Sequence, residues 1–556
     1  MKTLHDAEES VNDKTGLVSL TEDNHRDMIK VLESITEDVN IPEKMLVLLR
    51  SQLVSMKQSH SKCKWDPQII RMCLSIYCRS PRAYQDLANS GFLVLPSKRQ
   101  IQRYKNKIDQ QTGISKSNLK WMLSEIKLRK LPEDGYEGGL LMDEMAIQED
   151  IQLKKTGDEF EIVGFVECCD ETLYMDRLMG KTDLKMATHV LQILFLGNTG
   201  FRFPVGHFAT LQASPAEMYL VFWEAVKMLG TFGFTVTYIS LDGAQNNRLF
   251  MKMLLPENEV TSKTMNTMKT KNIFDPTKPD ICIIMDYSHL MKKIRNNISK
   301  SGKTDKNTKH LIYKGKYIVW EHWYKAYQWD TSTNPLKVYH KLTNDHFFLN
   351  PQLKMRNALA EDVLNSNMLH LMKKYQESLP EHEQDSLTSS IELLQMTSIL
   401  VRNFRDQRPI YEYDDSRLAE NKNVLSWFRN WEAEEGLCEK NLISHQTRED
   451  TVSLLLGFSE LCKDKFTRSA GSIVASRVNS DPIENIFSQQ RGLHNGANTN
   501  PNLLTYNRTQ NNVILGQTTI SRKSNTGGTG AQVYSDQRQP LKSILNTMTV
   551  GSVKKY

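Results

Sequence analysis

Three acids of this 556-residue sequence stand in settings that suit metal chemistry: Asp143, Asp242 and Glu484. Asp143 follows Leu140-Leu141-Met142, and Asp242 follows Tyr238-Ile239-Ser240-Leu241, so both sit where apolar, β-prone runs end. Strand ends in α/β sheets face the ligand crevice, and acids there are natural metal ligands. Magnesium prefers a few carboxylates plus water and phosphate oxygens. Two such ions about 4 Å apart can activate a nucleophile and stabilise a leaving 3′ oxygen in phosphodiester transfer. Capping of the next element would leave the same two aspartates in place. Glu484 falls in the first turn of a helix opened by Pro482, with Asp481 read as its N-cap. Ile483 and Phe487, four apart, would bury that helix on a sheet and leave Glu484 on an adjoining face. A helix dipole explains an acidic first turn equally well.

The elements that must position these acids begin at Pro132, where Gly135, Gly138 and Gly139 break the chain and strands follow at Leu140 to Met142, Phe160 to Cys169 and Phe203 to Thr210. Residues 215 to 230 have helical period, Thr235 to Leu241 and Ile281 to Met285 read as buried strands, and a helix runs on through Asn297. This order is that of an RNase H-like α/β domain with a mixed sheet (136–298), although periodicity also permits other mixed folds. Residues 299–468 turn helical and polar, with apolar faces such as Ile391, Leu394, Ile399 and Leu400, and are long enough to be an inserted domain. Residues 469–515 would complete the sheet domain. The basic remainder, 516–556, is rich in Gly, Ser, Thr and Asn and reads as disordered.

Upstream, residues 1–62 form an acidic linker with one amphipathic helix, whose face is Met45, Leu48, Leu49, Leu53 and Met56. Residues 63–131 read as a set of helices: Pro67 opens one, Ser80 to Ala88 form a second, and Pro96-Ser97 caps a third. A helix-turn-helix would look like this, and so would any small helical bundle. The stretch from Lys98 to Lys130 is locally basic, which a solvated helix face explains as well as DNA does.

Composition is that of a folded protein, 39 % hydrophobic and 24 % charged, and the net charge of +6 by itself argues for no partner. There is no run of about 18 apolar residues and no signal-peptide pattern at the start, so an intracellular protein without membrane spans is expected. Eight scattered cysteines fit neither a zinc site nor a disulfide scaffold. Ser301-Gly302-Lys303-Thr304 imitates the end of a P-loop, but the glycine required at 297 is Asn. Adjacent Cys168 and Cys169 would point to opposite faces of a strand, and Trp320 and Trp323 read as core more readily than as a base-stacking pair.

Several strings in order along the chain resemble the P element and THAP-domain transposase family. They are Leu141-Met142-Asp143-Glu144-Met145, the run from Ser240 to Asn247, the run from Asp286 to Asn297, Lys341-Leu342-Thr343 with His346, and Asp481-Pro482-Ile483-Glu484-Asn485 with Arg491. Ser80, Ala83, Tyr84 and Leu87, then Leu95-Pro96-Ser97 with Arg99, resemble the family's helical segment before the catalytic domain. The resemblance spans roughly residues 65 to 510. It implies an RNase H-like fold whose catalytic and metal-binding trio is Asp143, Asp242 and Glu484, with two magnesium ions that manganese can replace. It also implies a GTP-binding insertion, with Asp481 and Glu412 on the nucleotide. Transposon ends and target DNA are the implied partners, a homo-oligomer the implied state, and the nucleus the implied location. Two departures stand out: the Cys and His ligands of a THAP zinc finger are missing from residues 1 to 62, and Tyr411 to Arg417 replaces the family's Phe-Asp segment with a longer Glu412. The rival reading is a domesticated descendant that binds DNA or protein without catalysis.

Overall fold

The computed structural model describes residues 43–56 and 63–515, apart from 157, 168–177, 181–184, 256–260, 333–335 and 494–499, together with Asp27. The expectations for Cys168, Cys169 and the basic tail lie outside the described residues. The chain forms two compact units, one made of residues up to Gln110 with 505–517, the other essentially of Gln111–Leu504.

The smaller unit holds α1 (Glu43–Met56), α2 (Pro67–Arg79), α3 (Pro81–Asn89) and α4 (Lys98–Lys105), of which the last three start at capping residues. Asp66, Ser80 and Ser97 accept hydrogen bonds from backbone amides of the first turn, and Pro67 and Pro81 occupy first-turn positions. Ile69, Cys73, Leu74, Tyr77, Tyr84, Leu95 and Ile101 make one buried cluster, on which Val47 and Leu48 of α1 pack. The buried Tyr84 hydroxyl donates to the Pro96 carbonyl at 2.5 Å and fixes the turn before α4. The arrangement is helix-turn-helix-like. Met45 and Met56 of the expected apolar face remain exposed.

The larger unit is built on a six-stranded mixed sheet in the order β5-β4-β1-β6-β8-β7. Its strands are β1 (Glu137–Ala146), β4 (His189–Gly197), β5 (Arg202–Thr210), β6 (Thr235–Leu241), β7 (Lys269–Thr270) and β8 (Ile281–Met285); β2 (Gln152–Thr156) and β3 (Glu159–Val163) form a separate hairpin. β1, β6 and β8 run parallel, while β4, β5 and β7 are antiparallel to their neighbours. This is an RNase H-like α/β sheet. The expected strand at Phe160 to Cys169 is corrected: among the described residues of that span only Glu159–Val163 forms a strand, and it lies in the hairpin, with Phe160 and Ile162 exposed. The place beside β1 belongs to β4, whose His-Val-Leu-Gln-Ile-Leu-Phe-Leu-Gly run is buried along nearly its whole length.

Helices α5 (Pro215–Thr231), α6 (Gln245–Leu254) and α7 (Tyr287–Ser299) intervene along the sheet, α5 opening with a capping box between Ser214 and Glu217. A mainly helical region follows, with α8 (Trp320–Ser332), α9 (Ser366–Ser378), α10 (Thr388–Arg405) and α11 (Ser416–Ala433). Trp323, fully buried, donates to the Val363 carbonyl, which confirms it as core. The 24-residue α12 (His445–Arg468) returns to the sheet: Ser453 Oγ donates to the Ile283 carbonyl of β8, and Gly457 lies so close to that carbonyl that a Cβ would collide with it. Two helices close the chain's described part, α13 (Asp481–Leu493) and α14 (Leu503–Leu515). The Ser301–Thr304 segment bridges back to Lys309 after α7 and forms no strand-to-helix phosphate cradle.

Candidate active site

Parallel pairing between β1 and β6 ends at Leu141 with Ser240, while β1 continues to Ala146 against β4. Asp143 therefore lies inside its strand rather than at its end, which corrects the reading from sequence. It is the neighbour β6 that stops, and this opens the sheet beside Asp143. Asp242 begins the loop that leaves β6. Its Oδ1 accepts from Ala244 N at 2.9 Å and from Asn247 Nδ2 at 2.5 Å, which folds the loop back into α6. Alternation turns the adjacent Glu144 to the other face, where Oε1 accepts from Thr210 Oγ1 and Ala213 N.

Glu484 arrives from α13. The Ser480 carbonyl accepts from Ile483 N and Glu484 N, so Ser480 stands at the cap and Asp481 is the first helical residue, which starts the helix one residue earlier than expected. Ile483 and Phe487 are buried, as their spacing predicts, and the Glu484 side chain keeps 16 % exposure.

Electrostatics join the three acids. Desolvation by the surrounding protein, with repulsion from Asp242 and a smaller push from Glu484, raises the Asp143 carboxyl to about 8. Burial likewise raises Glu484, against the pull of His289 and Lys292. Asp143, Asp242 and Glu484 offer only carboxylate oxygens in partial burial, the donor set that a hard divalent ion such as magnesium prefers. Among the described residues no three His, Cys, Asp or Glu side chains are close enough to hold a metal ion by themselves.

Two further residues complete the arrangement, and reading the sequence assigned them no role. Asp286, fully buried after β8, accepts from His289 N at 2.8 Å, capping α7, and from Ser480 N at 2.8 Å, just ahead of α13. One carboxylate thus ties together the starts of two helices. Burial opposes its charge, but His289 and the two amides outweigh burial and hold it well below the usual carboxylate range. His289 Nδ1 lies 3.2 Å from Asp286, and its Nε2 lies 3.6 Å from Glu484 Oε1. Burial disfavours the imidazolium, yet Asp286 beside it raises His289 above its ordinary value. The available signal was Asp-x-x-His directly after an apolar strand, the spacing of an N-cap and a residue one turn on.

A second set of charges holds the Asp242 loop. Lys293 Nζ donates to the Gly243 carbonyl and to Asp450 Oδ2, both at 2.7 Å, and Arg248 makes a two-point contact with Asp450. Gly243 has no room for a side chain, because a Cβ would strike Lys293 Nζ.

The residues expected to bind nucleotide are not brought together by any contact among the described residues. Asp481 is 5 % exposed, with Oδ2 at 3.4 Å from Arg405 and Oδ1 accepting from Ser288 Oγ at 3.4 Å. Burial raises its carboxyl to about 7 despite Arg405. Arg405 also binds Glu361 and lies over the Tyr287 ring. Glu412 is exposed on a turn.

The sheet and its carboxylates define the class, an RNase H-like domain with an acidic centre. Residues 110–255 match the TNP-like, RNase H N-terminal domain family. The fold is similar to that of the transposase in a Drosophila P element transposase strand transfer complex, with TM-score 0.64 and 16 % identity over 88 % of this chain and 99 % of that one. No curated protein sequence matches the chain. The family match covers the first part of the larger unit, and the structural likeness shows a shared fold.

Proposed function

We propose that this chain is a P element-like DNA transposase that cleaves DNA ends and joins them to a target through Asp143, Asp242 and Glu484. The observation that carries the reading is the common level of Asp143 on β1 and Asp242 after β6, with Glu484 of the first turn of α13 near enough for its charge to act on Asp143. These carboxylates would hold magnesium, or manganese in its place. When bound, the metal supplies Lewis-acid stabilisation of phosphate oxygens and a deprotonated nucleophile near neutral pH. The chain's own contribution is orientation. Asp286 locks the starts of α7 and α13, His289 holds the Glu484 carboxylate, and Lys293 with Asp450 holds the Asp242 loop. Because two transposon ends must be held at once, the working form is a homo-oligomer on DNA, acting in the nucleus. GTP, which the family resemblance implies at Asp481 and Glu412, would have to draw Asp481 away from Arg405 and Ser288.

The test is strand transfer in vitro with magnesium or manganese, a 3′-processed end from the matching element and supercoiled target DNA, beside Asp143→Ala, Asp242→Ala and Glu484→Ala. Joined products that vanish in all three variants support the reading. Neither cleavage nor joining by folded, DNA-bound protein would instead favour a domesticated, non-catalytic descendant.

A further inference from the structure

The cations of α7 are not equally engaged. Lys293 is bound to Gly243 and Asp450, and Arg295 donates to the Lys354 carbonyl at 2.6 Å. Lys292 between them is 4 % exposed and makes no hydrogen bond or ion pair among the described residues. Its Nζ is not among the polar atoms sealed from solvent, so the stem is buried and the ammonium end keeps contact with water. It stands one helical turn beyond His289, whose Nε2 is 3.6 Å from Glu484, and its charge is felt by both side chains. A lysine kept only to neutralise the acids would be expected within ion-pairing distance of one of them, and none of the described carboxylates lies within 4 Å.

We propose that Lys292 is a phosphodiester ligand of the candidate active site, its unpartnered ammonium receiving a backbone phosphate oxygen of DNA beside Glu484. The inference rests on the DNA-processing reading above. An ammonium is a compact, strongly hydrated point charge with three donors, suited to a phosphate that arrives with the substrate. The entering phosphate would give Lys292 the partner that the folded chain withholds.

The test measures binding of a short fluorescent DNA duplex by the full chain, with calcium in place of magnesium, over a series of salt concentrations. Wild type is compared with Lys292→Met and Lys292→Arg. Loss of one phosphate contact should weaken binding by Lys292→Met and flatten the slope of log K against log salt by about 0.9, with Lys292→Arg restoring most of both. Unchanged affinity and slope in Lys292→Met, with wild type still binding and joining DNA, would overturn the phosphate contact and leave the transposase reading standing. Failure of wild type to bind any DNA would overturn both. A lowered unfolding temperature shared by Lys292→Met and Lys292→Arg would mark a structural lysine and also overturn the proposal.

Discussion

Asp143 and Asp242 stand two residues beyond the same parallel pair, Leu141 with Ser240, so the two acids share one level of the sheet although 98 residues separate them. The shared register makes them a unit. Replacing either acid, or Glu484, by its amide should reduce strand joining more than about 100-fold, since even outer partners of a metal commonly cost 10–100-fold. Circular dichroism should show the fold intact in each variant, and an active amide variant would remove that residue from the trio.

The raised Asp143 carboxyl also makes metal-free stability depend on pH. The folded state holds this proton up to about 8, whereas the unfolded chain releases it near the ordinary value of 3.8. Between those values the folded state binds more protons, so stability is greatest below about 4 and falls as pH rises through 8. Thermal unfolding in a chelator should therefore show this fall, Asp143→Asn should flatten it, and magnesium should reverse it. Identical pH profiles for wild type and Asp143→Asn would refute the assignment.

Asp286 should behave as a positioning residue. Asp286→Ala leaves the His289 and Ser480 amides without their acceptor, at a cost of about 1–3 kcal/mol for each that stays unpaired. Asp286→Asn can keep one of the two contacts and should be the milder change. Joining activity should fall in both, and chemical denaturation will rank them; equal stability of Asp286→Ala and wild type would contradict the double cap.

Gly243→Ala should displace Lys293 from the loop after Asp242. Overpacking of this kind costs about 1–3 kcal/mol, and the moved carboxylate should impair joining and raise the magnesium concentration needed for half-maximal rate. An alanine variant with unaltered metal dependence would show that Lys293 does not set Asp242.

Arg405→Met leaves Asp481 and Glu361 buried beside an apolar side chain. Breaking such a pair from one side costs about 3–5 kcal/mol, so the unfolding midpoint in denaturant should drop clearly. With wild type, a rise in the unfolding temperature on adding GTP would place a nucleotide at Asp481, and no change in unfolding temperature or DNA joining would remove Asp481 from nucleotide binding.

Much of the sheet was legible from residue order. The β-branched and aromatic run at Thr235–Leu241 and the capping residues Asp66, Ser80, Ser97 and Ser214 act through contacts within a few residues. Reading β1 and α13 required only correction of their ends, by three residues beyond Asp143 and by one at Ser480. β4 was missed because a strand buried on both faces has no alternation to show, and the more conspicuous Phe160 segment took its place.

The sequence by itself determined which acids could serve and the order of the blocks that carry them, because residue type and spacing are local properties. Tertiary structure alone decided that Asp143 and Asp242 share a level, that Asp286 joins two helix starts 194 residues apart, that Asp481 is engaged by Arg405 and that Lys292 is left without a partner. Those outcomes depend on strand register and on burial, which are set by contacts between distant segments and have no counterpart in the order of neighbours along the chain.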